Sequence, residues 1–76
     1  MWNEENNVLV REFKFADFQA ALEFVNKVGA LAEEVNHHPD IELGWGKVKI
    51  KLTTHSAGKV TDKDHELAKK IDAIQN

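Results

Sequence analysis

Residues 40–54, DIELGWGKVKIKLTT, decide the fold, because apolar and polar side chains alternate on both sides of a Gly-Trp-Gly turn. In the second half of this stretch, Val48, Ile50 and Leu52 alternate strictly with lysines. A period of two places every second side chain on the same face of a β-strand. The stretch therefore predicts two antiparallel strands that reverse direction at the glycines.

The chain before this hairpin supplies a strand and a long helix. Residues 8–15 are rich in β-branched and aromatic residues, which favours a strand. A short additional strand around residues 2–5 is also compatible with the sequence. Asp17 is a suitable N-cap for a helix that continues to about Glu34. Gly29 interrupts this helix, and we expect close packing against another backbone to explain it. The apolar stripe of the helix recurs at three- and four-residue steps, at Ala21, Leu22, Val25, Val28, Ala32 and Val35.

A second helix closes the chain. Pro39 ends the first helix, because the residue before a proline is pushed away from helical geometry. Thr61 then begins the last helix, with Asp64 as its capping-box partner three positions on. The order of elements predicts a single α+β domain over residues 1–76. Its antiparallel β-sheet has three to four strands, with two α-helices packed on one face.

Composition excludes several classes of protein. The chain has 76 residues, no cysteine and a formal net charge of −3. It therefore forms no disulfide, and nothing favours general affinity for nucleic acid or membranes. The first seven residues lack the basic and apolar regions of a signal peptide. We expect a soluble, cytoplasmic domain that gains stability by self-association, because so short a chain has a marginal core.

Three histidines lie on two connections that the predicted hairpin brings to one end of the sheet. His37 and His38 precede the first hairpin strand, and His55 follows the second. Antiparallel pairing places these connections side by side. Such a cluster could transfer protons, since an unperturbed imidazole titrates near pH 6.5. It could also hold a metal ion, although adjacent histidines rarely point at one ion, or it could be a polar loop. Glu33 is either an exposed acid or a partner for a neighbouring histidine.

The chain resembles the pterin-4a-carbinolamine dehydratase family. The resemblance is carried by residues that stand at the spacing of the family motif. These residues are Glu33, His37-His38-Pro39, Trp45, His55 and Asp64. The flanking stretches agree as well, and the resemblance covers nearly the whole chain.

The resemblance implies a lyase that removes water from 4a-hydroxytetrahydropterin, such as tetrahydrobiopterin-4a-carbinolamine, and gives quinonoid dihydropterin for pterin cofactor recycling. It implies histidine acid–base chemistry with no metal and no cofactor. It also implies homodimers or homotetramers built through sheet edges, with no direct contact to nucleic acid or membrane. The alternative is a non-catalytic binding or dimerisation module of the transcriptional coactivator type.

The resemblance also implies roles for individual residues. The catalytic histidines would be His37, His38 and His55, with His37 as the principal acid–base group. The pterin-contacting residues would be Asn36, His37, His38, Thr53, Thr54, His55 and Ser56. The supporting residues would be Glu33, Pro39, Trp45 and Asp64.

Three departures from the family pattern are visible. Members of the family commonly carry an additional N-terminal helix, and from the resemblance we expect this sequence to be a short form that starts after it. Lys59 stands where a second glycine often follows Gly58, so a different loop shape is expected. Trp45 replaces a frequent tyrosine, which keeps the ring and removes the hydroxyl.

Overall fold

The computed structural model describes residues 1–75, which form a four-stranded antiparallel sheet and two helices. The elements in chain order are β1 (Asn3–Glu5), β2 (Val8–Lys14), α1 (Phe18–Val35), β3 (Asp40–Gly44), β4 (Lys47–Leu52) and α2 (Asp62–Gln75). The strands lie in the order β1-β2-β4-β3. This confirms the predicted α+β class and the short first strand.

The alternation in β4 positions the core. Val48, Ile50 and Leu52 are fully buried, whereas the lysines between them are not. β4 is a central strand, and Ile50 pairs with Arg11 of β2 and Ile41 of β3. Most of the buried apolar side chains of both helices belong to the same apolar cluster as this face of the sheet. Within residues 1–75, no helix is long and apolar enough to cross a membrane.

Arg11 lies on the buried face of β2 because it has partners there. Its Nη1 donates to Asp72 Oδ1 over 2.7 Å, and Trp2 Nε1 donates to the same oxygen over 2.9 Å. The guanidinium also stacks on the Phe13 ring, 4.4 Å from the ring centroid, an attractive cation–π geometry. These contacts attach the N-terminal segment and β2 to α2.

The ends of α1 set the path of the chain into the histidine pair. Asp17 is the N-cap, and its Oδ1 accepts from the Ala20 backbone N–H over 2.8 Å. At the other end, Asn36 adopts the left-handed conformation, with φ 52° and ψ 45°. A residue of this kind commonly terminates a helix. The His37 backbone N–H then donates back to Ala32 O over 3.1 Å, which fixes where the His37 side chain begins.

The expected packing around Gly29 is wrong. A Cβ built on Gly29 would meet no atom within 4 Å outside the neighbouring backbone of its own helix. The glycine therefore brings no close approach, and it carries only the entropic cost of glycine in a helix interior.

Gly29→Ala should raise the free energy of unfolding by about 0.5–1 kcal/mol, because alanine loses less backbone entropy and meets no obstacle here. Urea unfolding followed by circular dichroism measures the change. The matched control is Ala30→Gly on the exposed side of the same helix, which should lower stability by a similar amount. An unchanged or less stable Gly29→Ala protein would contradict the account.

Candidate active site

The Asp64 carboxylate is the centre of a buried polar network at the start of α2. Its side chain is fully buried, and both oxygens have partners. Oδ1 lies 2.5 Å from His37 Nε2. Oδ2 accepts from the Thr54 hydroxyl over 2.7 Å and from the Thr61 backbone N–H over 2.9 Å. The capping role predicted for Asp64 is therefore present on one oxygen, while the other oxygen holds a histidine.

The Thr54 hydroxyl extends the network. Because its single hydrogen is donated to Asp64, its 2.6 Å contact with Thr61 Oγ1 must be a hydrogen bond donated by Thr61. The Asp64 backbone N–H donates to Thr61 O over 3.0 Å rather than to the Thr61 hydroxyl, so only the Asp64 half of the capping box forms. The network joins three segments, which are the exit of α1, the end of β4 and the start of α2.

The same contacts set the charge of Asp64. Burial raises the pKa of its carboxyl, but the hydrogen bonds from His37, the Thr61 backbone and Thr54 outweigh burial, and the pKa lies below its ordinary value. Asp64 is therefore an anion at neutral pH. Since an ionised carboxylate only accepts, His37 Nε2 must donate. In the neutral ring, Nδ1 is then the nitrogen without a proton.

Because the pKa of Asp64 is lowered in the folded protein, the free energy of unfolding depends on pH in the acidic range. The carboxylate contributes stability that is fully present above its unfolded pKa, about 3.9, and that is lost as the pH falls through the lower folded value. The wild-type free energy of unfolding should therefore fall steeply between about pH 5 and about pH 2. Urea titrations at a series of pH values measure this slope.

The matched control removes a carboxylate from the exposed side of the same helical turn. Asp62→Asn should retain the acid slope, because Asp62 is exposed, whereas Asp64→Asn should flatten it. A slope that persists in Asp64→Asn would assign the acid sensitivity to other carboxyls.

His37 also lines a small cavity. The cavity has a volume of about 150 Å³ and lies between residues 35–37 on one side and Lys63, Glu66, Leu67 and Lys70 of α2 on the other. The His37 side chain retains 14% of its exposure. One side of the ring is thus held by a buried carboxylate, while the residue lines a space that a ligand can enter.

His38 and Glu33 form a separate pair at the surface. His38 Nε2 contacts Glu33 Oε2, which realises one of the two roles that the sequence left open for Glu33. Both side chains are more than half exposed. Exposed ion pairs contribute little to stability, so this contact orients the imidazole and adds little to the fold.

The remaining residues implied by the resemblance have varied positions. His55 and Ser56 are exposed in the turn after β4, and the His55 ring makes no hydrogen bond within residues 1–75. Thr53 Oγ1 donates to Asn7 O over 2.9 Å. Pro39 is half-buried just before β3, and Asn36 lines the cavity.

Trp45 lies in the turn between β3 and β4, and it is 74% exposed. This turn is at the opposite end of β3 from His37. Five residues of extended strand separate the two by about 17 Å. In the single chain, Trp45 therefore does not border the His37 cavity.

The described part of the chain contains no group of three or more His, Cys, Asp or Glu side chains arranged to hold a metal ion.

The sequence did not indicate two groups at the cavity, Lys63 and Lys70. Lys63 lies four positions before the buried Leu67 and Lys70 lies three positions after it, so all three are on the same side of α2. This spacing was the available signal, but only the packed structure shows that this side of α2 faces the exit of α1.

A small α+β domain in which a buried carboxylate orients a histidine beside a cavity is equipped for proton transfer to a bound ligand. The sequence model of the family described as "Pterin 4 alpha carbinolamine dehydratase" matches residues 1–74. The chain belongs to this family, and its relatives support a dehydratase-type function.

Curated relatives of this chain carry the name "Putative pterin-4-alpha-carbinolamine dehydratase". The protein from Sulfolobus acidocaldarius is 50% identical over 74 residues, which cover 97% of this chain and 81% of the relative. The protein from Chloroflexus aurantiacus is 51% identical over 73 residues, which cover 96% of this chain and 78% of the relative.

Two solved structures share the fold. The crystal structure of a transcriptional coactivator/pterin dehydratase from Brucella melitensis has a TM-score of 0.94 and 34% identity, and the match covers 99% of this chain and 82% of that one. A pterin dehydratase-like protein described as a RuBisCO assembly factor in the alpha-carboxysome has a TM-score of 0.78 and 24% identity, with coverage of 96% and 84%. The second likeness concerns the fold alone.

Proposed function

We propose that this chain is a hydro-lyase that dehydrates a 4a-hydroxytetrahydropterin to the quinonoid dihydropterin. The observation that carries the proposal is the His37–Asp64 pair beside a cavity in a member of this family. The reaction needs a proton removed from ring N5 and a proton delivered to the hydroxyl on C4a. A new N5–C4a double bond forms as the C4a–O bond breaks, and water leaves.

His37 is the principal acid–base group in this proposal. In the neutral ring, Nδ1 can accept a proton, and the Asp64 anion stabilises the imidazolium that results. The same imidazolium can return a proton to the departing hydroxyl, so one residue can serve both steps in turn. Positioned acid–base groups of this kind typically accelerate a reaction by about 10²–10⁴-fold.

The roles proposed for the other residues are those that the resemblance implies. His38, oriented by Glu33, and His55 are proposed to orient the pterin ring and to stabilise the leaving hydroxyl. Asn36, Thr53 and Ser56 are proposed contacts to the pterin. The Thr54 hydroxyl is engaged with Asp64, so we place Thr54 as a positioning residue that acts through Asp64.

The direct test is the decay of the 4a-carbinolamine absorbance after it is generated in solution. Purified protein should accelerate this decay above the buffer rate in proportion to its concentration, with no added metal or organic cofactor. Decay at the buffer rate across the whole concentration range would exclude the dehydratase function.

The second candidate is a binding or dimerisation module, and the exposed Trp45 favours it. An indole this exposed at a hairpin tip is a common anchor for protein contacts. The strands β1 and β3 also form the open edges of the sheet, which suits pairing into a homodimer or homotetramer. Partner binding or self-association that needs Trp45, in a protein without affinity for pterins, would favour this candidate.

A further inference from the structure

The cavity beside His37 is lined by more cationic than anionic side chains. Lys63, Glu66 and Lys70 line it on the α2 side. The lining therefore carries one net positive charge when His37 is neutral, although the whole chain is negative. Two of the three lysines of α2 thus lie at the mouth of the candidate active site.

The two lysines have no carboxylate partner in the described part of the chain. Lys14 and Lys51 form ion pairs with Glu12 and Glu42 over 3.2 Å each. Within residues 1–75, by contrast, neither Lys63 nor Lys70 has a carboxylate oxygen within 4.0 Å. Their charges remain available to a ligand.

The lysines are not needed to terminate α1 either. The backbone N–H of Asn36 donates to Ala32 O and Glu33 O, and the His37 N–H also donates to Ala32 O. These two carbonyls at the helix end thus have partners from the chain itself, and within residues 1–75 neither lysine donates a hydrogen bond to a backbone carbonyl. Capping of α1 does not explain two cations here.

The volume of the cavity limits what it can hold. Sites that enclose a whole drug-sized ligand typically measure about 300–1,000 Å³, whereas this cavity measures about 150 Å³. It suits a substituent of a ligand whose reacting ring lies at His37. Buried Leu67 belongs to the lining, and the two ammonium groups supply the charge.

We propose that Lys63 and Lys70 form a subsite for an anionic substituent, so that the preferred substrate is a pterin whose side chain ends in a phosphate ester or a carboxylate. This inference rests on the proposed function, since it places the ring of that substrate at His37. Glu66 between the two lysines disfavours a second anion and restricts the subsite to one charged group.

The test compares three fluorescent pterins that share one ring system. These are 6-hydroxymethylpterin, its phosphate ester and pterin-6-carboxylate. Fluorescence titrations at low ionic strength should show one or both anionic pterins binding about 5- to 30-fold more tightly than the neutral one, as expected for two partly exposed charge pairs. The advantage should shrink as salt is added.

Variants assign this preference to the subsite. The double variant Lys63→Gln/Lys70→Gln should reduce the ratio of anionic to neutral affinity to about one. The control Lys69→Gln removes a cation from the same helix at a position that is exposed and outside the cavity, and it should keep the ratio. Both changes are at the surface, where substitutions rarely affect folding.

The outcomes separate the inference from the function on which it rests. If 6-hydroxymethylpterin binds and the carbinolamine is dehydrated, but no anion is preferred, the subsite is wrong and the dehydratase stands. A preference that survives the double variant, or that Lys69→Gln abolishes, also overturns the subsite. If no pterin binds and no dehydration is seen, both proposals fall.

Discussion

The variant His37→Ala is expected to lose about 10²–10⁴-fold in turnover of 4a-hydroxytetrahydropterin. His37 is the histidine that combines a buried carboxylate partner with a place in the cavity wall. Removing the ring takes away the imidazole that accepts a proton from N5 and returns it to the hydroxyl. Stopped-flow absorbance of the carbinolamine measures the loss.

Two further variants make this result specific. His37→Gln keeps an N–H that can donate to Asp64 but cannot carry a proton, so it should fold and remain as inactive as the alanine variant. His65→Ala removes an exposed histidine from the first turn of α2 and should keep wild-type turnover. A glutamine variant with more than a tenth of wild-type activity would show that the proton passes through another group.

The second large effect is expected for Asp64→Asn, which should lower turnover by about 10²-fold or more. The amide can donate to His37 Nε2, which favours the ring form with its proton on Nδ1. The nitrogen that should act as the base is then occupied, and the charge that stabilises the imidazolium is absent. Initial rates with saturating substrate separate this effect from a change in KM.

A positioning role for Asp64 has its own readout. The nitrogen-15 chemical shifts of the His37 imidazole should show that Nε2 carries the proton in the neutral wild-type ring. In Asp64→Asn they should show a larger fraction of rings with the proton on Nδ1. The control Asp62→Asn, from the exposed side of the same turn, should leave both the shifts and the rate unchanged. Unchanged His37 shifts in Asp64→Asn would contradict the proposed orientation of the ring.

Much of the fold was predictable because its determinants are local. The alternation around Ile50 specifies a strand with one buried face, and Asp17 caps α1 through a residue three positions away. These patterns depend on neighbours in the sequence. The packing at Gly29 was predicted wrongly, because what lies opposite a helix residue is decided by tertiary structure.

The candidate site was predictable in part for the same reason. The sequence predicted Asp64 as a cap, which needs only one of its oxygens. The contact of the other oxygen with His37 joins residues 27 positions apart, and it exists only because α2 packs beside the exit of α1. Lys63 and Lys70 border the cavity through the same packing. The joint action of the three implied histidines stays a prediction.

The most direct test of the account is a crystal structure of the protein with a bound dihydropterin. We predict that Nδ1 of His37 lies about 2.6–3.2 Å from the position of ring N5 or of the C4a hydroxyl, directly or through one water, while Nε2 still contacts Asp64. A pterin bound away from His37, or a His37 ring whose free nitrogen faces away from the pterin, would contradict the account.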